Sequence, residues 1–157
     1  TTRLCLQALE RLVQGGERVL DLGCGSGILS IASLLLGAGE ASACDIDDKC
    51  LDVAYENAAL NGVGRDRYTV LAGDILSDEA LQARLGEGYD LVVANIVADV
   101  ILALAPAVRR YLKSGGAFLC SGIIDDRAEE VAQGLRENGW EILETRSAEG
   151  WFSYLCR

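Results

Sequence analysis

Apolar positions along the chain fall into two alternating kinds of run, one at helical spacing and one continuous and short. That alternation predicts an α/β fold. Leu4, Leu6, Leu9, Leu12 and Val13 recur at helical spacing behind Thr1 or Thr2 as a cap, and the run stops at Gly15-Gly16. Arg18 to Leu22 reads as a short buried strand that runs into the glycine-rich stretch Gly23 to Gly27. Ile28 to Leu36 predicts an apolar helix closed by Gly37 and Gly39, and Ala41 to Ile46 a second strand. Asp47 or Asp48 caps the next helix, which ends at Asn61-Gly62.

The second half repeats this order and then departs from it. Tyr68 to Ala72 predicts a strand, Ser77 to Leu85 a short helix, and Tyr89 to Ala94 a strand apolar enough to be buried on both faces. A helix broken or kinked at Pro106 leads to the turn Lys113-Ser-Gly-Gly116. Ala117 to Cys120 is the fifth strand, and Asp125 to Asn138 the last long helix. Trp140 to Arg146 and Trp151 to Cys156 follow with no helix between them, so a hairpin closes an otherwise parallel sheet. No linker, repeat or low-complexity segment divides residues 1–157, which predicts one domain.

Composition narrows the chemistry. The 157 residues are 50% apolar, enough for one unaided core. With no histidine, the chain has no His–Cys metal site, no Ser–His or Cys–His nucleophile pair and no imidazole switch, and no metal site is expected. The six cysteines form no CxxC pair and read as reduced thiols in apolar runs. No apolar run approaches the ~20 residues that cross a bilayer, and there is no signal peptide or polybasic tract, so a cytoplasmic protein without membrane contact is expected. The formal charge of −10 has the wrong sign for direct nucleic-acid binding. The missing initiator methionine reads as a segment of a longer protein.

The strongest chemical feature is Asp21-Leu-Gly23-Cys-Gly25-Ser-Gly27 between a strand and a helix. Glycines permit the sharp turn and a close ligand approach, and amides at a helix start suit an anionic group. A ligand-free βα turn would use the same residues. Asp45 ends the following strand, about 20 residues on, where doubly wound folds place an acid on ribose hydroxyls. That spacing alone serves both a nicotinamide dinucleotide and S-adenosyl-L-methionine. Position 28 is Ile rather than the third glycine of GxGxxG, and Asp21 would repel a pyrophosphate, which favours the methyl donor. Asp74, after Gly73, is placed to accept from an adenine amino group, with Ile46 and Ile75 as apolar walls. Asn95 follows a fully apolar strand, where a buried amide without a partner costs ~1–3 kcal/mol.

Thr1-Thr2-Arg-Leu-Cys-Leu, DLGCGSGILSIA, CDIDDKCLDVAYENAALNGV, YDLVVANIVADVI, LAPAVRRYLKSGG and Ser121-Gly-Ile-Ile124 together resemble the catalytic domain of the PrmA-type ribosomal protein methyltransferases. The resemblance covers essentially all of residues 1–157. It implies a Rossmann-like class I methyltransferase fold: a seven-stranded, mostly parallel sheet in the order 3-2-1-4-5-7-6, with strand 7 antiparallel and helices on both faces. It implies S-adenosyl-L-methionine as donor, S-adenosyl-L-homocysteine as product, and lysine and terminal amines of large-subunit ribosomal protein eleven as acceptors. Donor contacts carried over residue by residue fall on Thr2, Gly23, Asp45 and Asn95. The residue reading adds Gly25, Ile46 and Asp74 to the donor site, and gives Asn95 a catalytic role in orienting the acceptor amine. Family members usually have leucine where Val97 stands. The family's separate N-terminal docking domain, with its histidine-bearing lead-in to Thr-Thr, lies outside these residues.

A basic ribosomal protein suits an acidic surface, although solvation alone accounts equally for the charge. Three alternatives share much of this sequence: a methyltransferase acting on another amine, amide or small molecule, a nicotinamide-dependent oxidoreductase, and a donor-binding module that transfers nothing. The oligomeric state is left open.

Overall fold

The computed structural model describes residues 1–157. Seven strands form one sheet in the order β3-β2-β1-β4-β5-β7-β6. They are β1 (Arg18–Leu22), β2 (Glu40–Asp45), β3 (Tyr68–Ala72), β4 (Tyr89–Asn95), β5 (Leu112–Ile124), β6 (Ile142–Ala148) and β7 (Trp151–Cys156). β1 to β5 pair in parallel, and β7 runs antiparallel to both β5 and β6. Order and hairpin both agree with the expected class I arrangement.

Alternation along the strands sorts side chains between two cores. From β1, Val19 joins Leu91, Val93, Ala117 and Leu119 against α1 (Thr2–Leu12), α2 (Ile28–Leu35) and α3 (Lys49–Leu60). Leu20 and Leu22 join Val92, Ala94, Phe118 and Cys120 on the other face. There they meet α4 (Glu79–Leu85), α5 (Ala98–Leu104) and α6 (Asp125–Glu137). The helices after β1 and β4 thus lie on opposite faces. The crevice between the carboxyl ends of these two neighbouring strands is the topological switch point, the usual ligand position in such sheets.

The structure settles the alternative left open at Pro106 and departs from the sequence reading most at β5 and β6, each for a local reason. Pro106 breaks the helix outright: α5 stops at Leu104, and a single 3₁₀ turn, Val108–Tyr111, follows. β5 is far longer than Ala117–Cys120, because Lys113 to Gly116 is a bulge within the strand, with Leu112 still opposite Tyr89 and Ala117 opposite Leu91. Lys113 closes the bulge by an ion pair with Asp90. β6 begins at Ile142, because the Trp140 amide donates to the Leu135 carbonyl at the end of α6, and its indole nitrogen to Ala105 O at 2.8 Å. Trp140 is therefore a core plug, 3% exposed, with Arg109 stacked over its ring.

A second bulge lies beside the crevice. Gly122 takes φ +87° and shifts the β5–β7 register by one residue. A Cβ there would stand against the backbone of Ile96, so the absent side chain is what lets β5 close on the end of β4.

Candidate functional site

The glycine loop is tied down from below. Gly23, Gly25 and Gly27 all have positive φ, at 72°, 53° and 84°. The Gly23 and Cys24 amides both donate to Cys44 O, the Gly25 amide donates to Asp45 Oδ2 at 2.9 Å, and the Gly27 amide donates to Cys24 O. Most of the amides expected to face a ligand therefore hold the loop itself. What the loop offers instead is space: a Cβ on Gly25 would meet nothing within 4 Å.

Asp21 points beneath the loop, 1% exposed, and its Oδ2 accepts from the Ser30 amide at 3.1 Å. Burial pushes its carboxyl up to about 6, against the Ser30 hydrogen bonds that lower it, and the nearby Asp45 raises it further. Burial likewise pushes Cys44 up to about 12 and Cys24 higher still, so these thiols stay protonated beside the loop.

Asp45 stands at the end of β2 with its second oxygen, Oδ1, accepting from the Asp47 amide at 3.0 Å. A carboxylate has about four lone-pair sites, so acceptor capacity remains for a ribose. Asp74 likewise accepts from its own turn, the Leu76 amide at 3.0 Å. Ile46, 74% exposed, and Ile75 flank these acids as the expected walls. Together Gly23, Asp45, Ile46 and Asp74 line one cavity of about 330 Å³ at the carboxyl edge of the sheet. Its remaining lining is mostly apolar, and Ile96, Val100 and Leu104 from beyond β4 were not among the expected residues. A pocket with an apolar lining and two acids at its rim fits a nucleoside.

Asn95 and Thr2 form a second part of the site. Asn95 ends β4 opposite Ser121 of β5, and its Nδ2 donates to Thr2 Oγ1 at 3.4 Å in the first turn of α1. Its Oδ1 is buried and has no hydrogen-bond partner. Thr2, Gly25 and Asn95 lie outside the lining of the 330 Å³ cavity, Gly25 being joined to it through Asp45. A larger groove of about 490 Å³ between the start of α1 and the β6–β7 hairpin contains none of the expected residues. No three metal-ligating side chains are gathered anywhere, and no helix is long and apolar enough to cross a membrane.

Sheet order, antiparallel seventh strand and a nucleoside-sized cavity beside a glycine loop at the switch point define the class I S-adenosylmethionine-dependent methyltransferase fold. A fibrillarin from Aeropyrum pernix, solved with natively bound S-adenosyl-L-methionine, shares that fold at a TM-score of 0.79 and 17% identity, covering 99% of this chain and 74% of that one. Residues 1–157 match the family model for ribosomal protein L11 methyltransferase (PrmA), and the chain belongs to that family. The ribosomal protein L11 methyltransferase of Desulforamulus reducens is 46% identical over 156 residues, 99% of this chain and 48% of that protein. A crystal structure of ribosomal protein L11 methylase from Lactobacillus delbrueckii subsp. bulgaricus superposes with a TM-score of 0.90 at 34% identity, over 100% of this chain and 78% of that one. The chain thus spans about half the length of the curated relatives it matches.

Proposed function

We propose that this chain is the catalytic domain of an S-adenosyl-L-methionine-dependent protein methyltransferase of the cytoplasm. Its acceptors would be lysine and terminal amines of a basic large-subunit ribosomal protein, docked by a separate N-terminal domain. The observation that carries the reading is the unpartnered Oδ1 of Asn95, a buried acceptor at the end of β4. A buried carbonyl oxygen without a donor costs ~1–3 kcal/mol, and an incoming amine N–H removes that cost.

The donor, when bound, supplies an activated methyl group for in-line displacement. Asp45 would hold the ribose, Asp74 with Ile46 and Ile75 the adenine, and Gly23 and Gly25 the amino-acid end. Such a reaction demands alignment and exclusion of water more than a base. A lysine with an ordinary pKa of about 10.4 costs about 4.6 kcal/mol to present uncharged at neutral pH. Asn95 Oδ1 then accepts from the neutral amine and orients its lone pair, and Thr2 fixes the Asn95 amide from the other side. The acidic surface favours encounter with a basic partner.

Calorimetry with S-adenosyl-L-methionine, S-adenosyl-L-homocysteine and NADH tests the donor assignment: the first two bind and NADH does not. Asp45→Asn weakens product binding by about tenfold or more, the loss expected for a charged hydrogen-bond partner. Labelled methyl transfer over a panel of amine acceptors then tests the substrate. Preference for a small amine over the ribosomal protein in a chain that includes the docking domain overturns that part. An Asn95→Ala variant with undiminished turnover overturns the role of Asn95.

A further inference from the structure

Tyr68 opens β3 at the end remote from the crevice, yet its hydroxyl lies 2.7 Å from Ser30 Oγ in the first turn of α2. Ser30 Oγ in turn donates to the Gly27 carbonyl at 3.2 Å, and the Ser30 amide donates to Asp21 Oδ2. A serine hydroxyl has one hydrogen, so with that hydrogen on Gly27 the phenol is the donor to Ser30. Burial raises the Tyr68 phenol above its ordinary value, which keeps that hydrogen in place. Tyr68 is 1% and Ser30 0% exposed. At φ +84°, Gly27 also packs its Cα directly on this hydroxyl, for a Cβ there would stand 2.7 Å from the Tyr68 oxygen. One phenol thus fixes the last glycine of the loop by contact, and through Ser30 it braces both the loop carbonyl and the carboxylate beneath. Neither Tyr68 nor Ser30 lines the cavity that fits the adenosine half of the donor.

We infer that Tyr68, acting through Ser30, is a positioning residue for the amino-acid end of the donor: it sets the placement of the Gly25–Gly27 end of the loop, whereas Gly23, which lines the adenosine pocket, is held separately by the Cys44 carbonyl. The inference rests on the donor reading above and adds to it a division of the site into two separately supported halves. Fully satisfied buried polar networks fix a single geometry, and the loss of one member loosens what they hold.

Tyr68→Phe removes one oxygen and leaves the ring in its edge-on contact with Tyr55. Ser30→Ala removes the other end of the same link while keeping the amide on Asp21. Two ligands separate the halves: S-adenosyl-L-homocysteine, which carries the amino-acid end, and 5′-methylthioadenosine, which lacks it. In either variant the product binds about five- to tenfold more weakly by calorimetry, and methylthioadenosine changes by less than about twofold. The double variant is no weaker than either single one, as expected of two residues in one link. Hydrogen exchange of the unliganded chain shows the amides of residues 25–28 opening faster and those of β4 unchanged. Unchanged product affinity, or equal weakening of both ligands in a folded variant, overturns the inference. A wild-type chain that binds neither ligand overturns the donor reading instead, and exchange at the loop then still decides whether Tyr68 braces it.

Discussion

Asp21 gives this protein a stability component that runs against the usual acid sensitivity. The fold places its carboxylate under the glycine loop, 1% exposed, with the Ser30 amide as donor and Asp45 as a neighbouring like charge. Loss of hydration outweighs the hydrogen bonds, and the group titrates at about 6 instead of 3.8. Between those values the folded chain keeps a proton that the unfolded chain has lost, so stability falls as pH rises. The contribution is fully present below about pH 4 and is gone once the pH has passed 6. A gap of about two units, at about 1.4 kcal/mol each, makes ionised Asp21 cost about 3 kcal/mol at neutral pH. Asp21→Asn keeps an acceptor for the Ser30 amide and removes the charge. Urea unfolding of both proteins from pH 4 to pH 8 isolates the effect, since Asp90 and Glu144, whose carboxyls are lowered, cancel in the difference. Wild-type stability relative to the variant is expected to drop by about 2.5 kcal/mol from pH 4 to pH 7 and then level off. A difference that stays constant, or that grows with pH, would refute the assignment of Asp21 as a carboxylate strained by burial.

Gly122→Ala places a Cβ against the Ile96 backbone at a positive φ, and about 2–4 kcal/mol of destabilisation is expected, read from the thermal midpoint. Because Ile96 follows Asn95, the same variant is expected to weaken product binding in calorimetry even where it remains folded. Trp140→Phe leaves the Ala105 carbonyl without its indole donor and removes ring area under Arg109, and urea unfolding is expected to report a loss of about 1–3 kcal/mol. Arg11→Ala breaks a largely exposed pair with Glu144 and is expected to change stability by less than about 1 kcal/mol in the same assay.

The sheet was legible because its signals are local. Each of the first four strands is a short apolar run bounded by glycine or aspartate, and the absence of a helix between the last two runs announced the hairpin. What misled was glycine used for something other than a turn. Lys113-Ser-Gly-Gly116 has turn composition, yet strand pairing holds on both sides of it, with Leu112 opposite Tyr89 and Ala117 opposite Leu91. Nothing within the four residues distinguishes a bulge from a loop, because the difference lies in a partner strand more than twenty positions earlier. Trp140 misled for a related reason: an aromatic at the head of an apolar run reads as strand, and only the Ala105 carbonyl 35 positions away turns it into a core plug.

The same distinction divides the site. Gly23, Asp45, Asp74 and Asn95 could be singled out because each sits at or just beyond the carboxyl end of its strand, where an α/β sheet gathers ligand groups whatever the rest of the chain does. Asn95 is the clearest case, since an amide that closes an apolar strand needs a partner, and the structure supplies one for its nitrogen and none for its oxygen. The state of Asp45 was not legible. Its charge reads as a free ribose acceptor, whereas its two oxygens already receive the amides of Gly25 and Asp47. This changes what the residue does, because the carboxylate is first a brace that holds Gly25 and the turn after β2 in place. Tyr68 left no signal at all: it opens an ordinary strand and acts through the length of its side chain on a serine 38 positions earlier. Residues proposed to meet the ligand are recognisable from where they stand in an element. Residues that brace those groups from beneath emerge only once the elements are packed, and it is they that decide how firmly the two halves of the site are held in register.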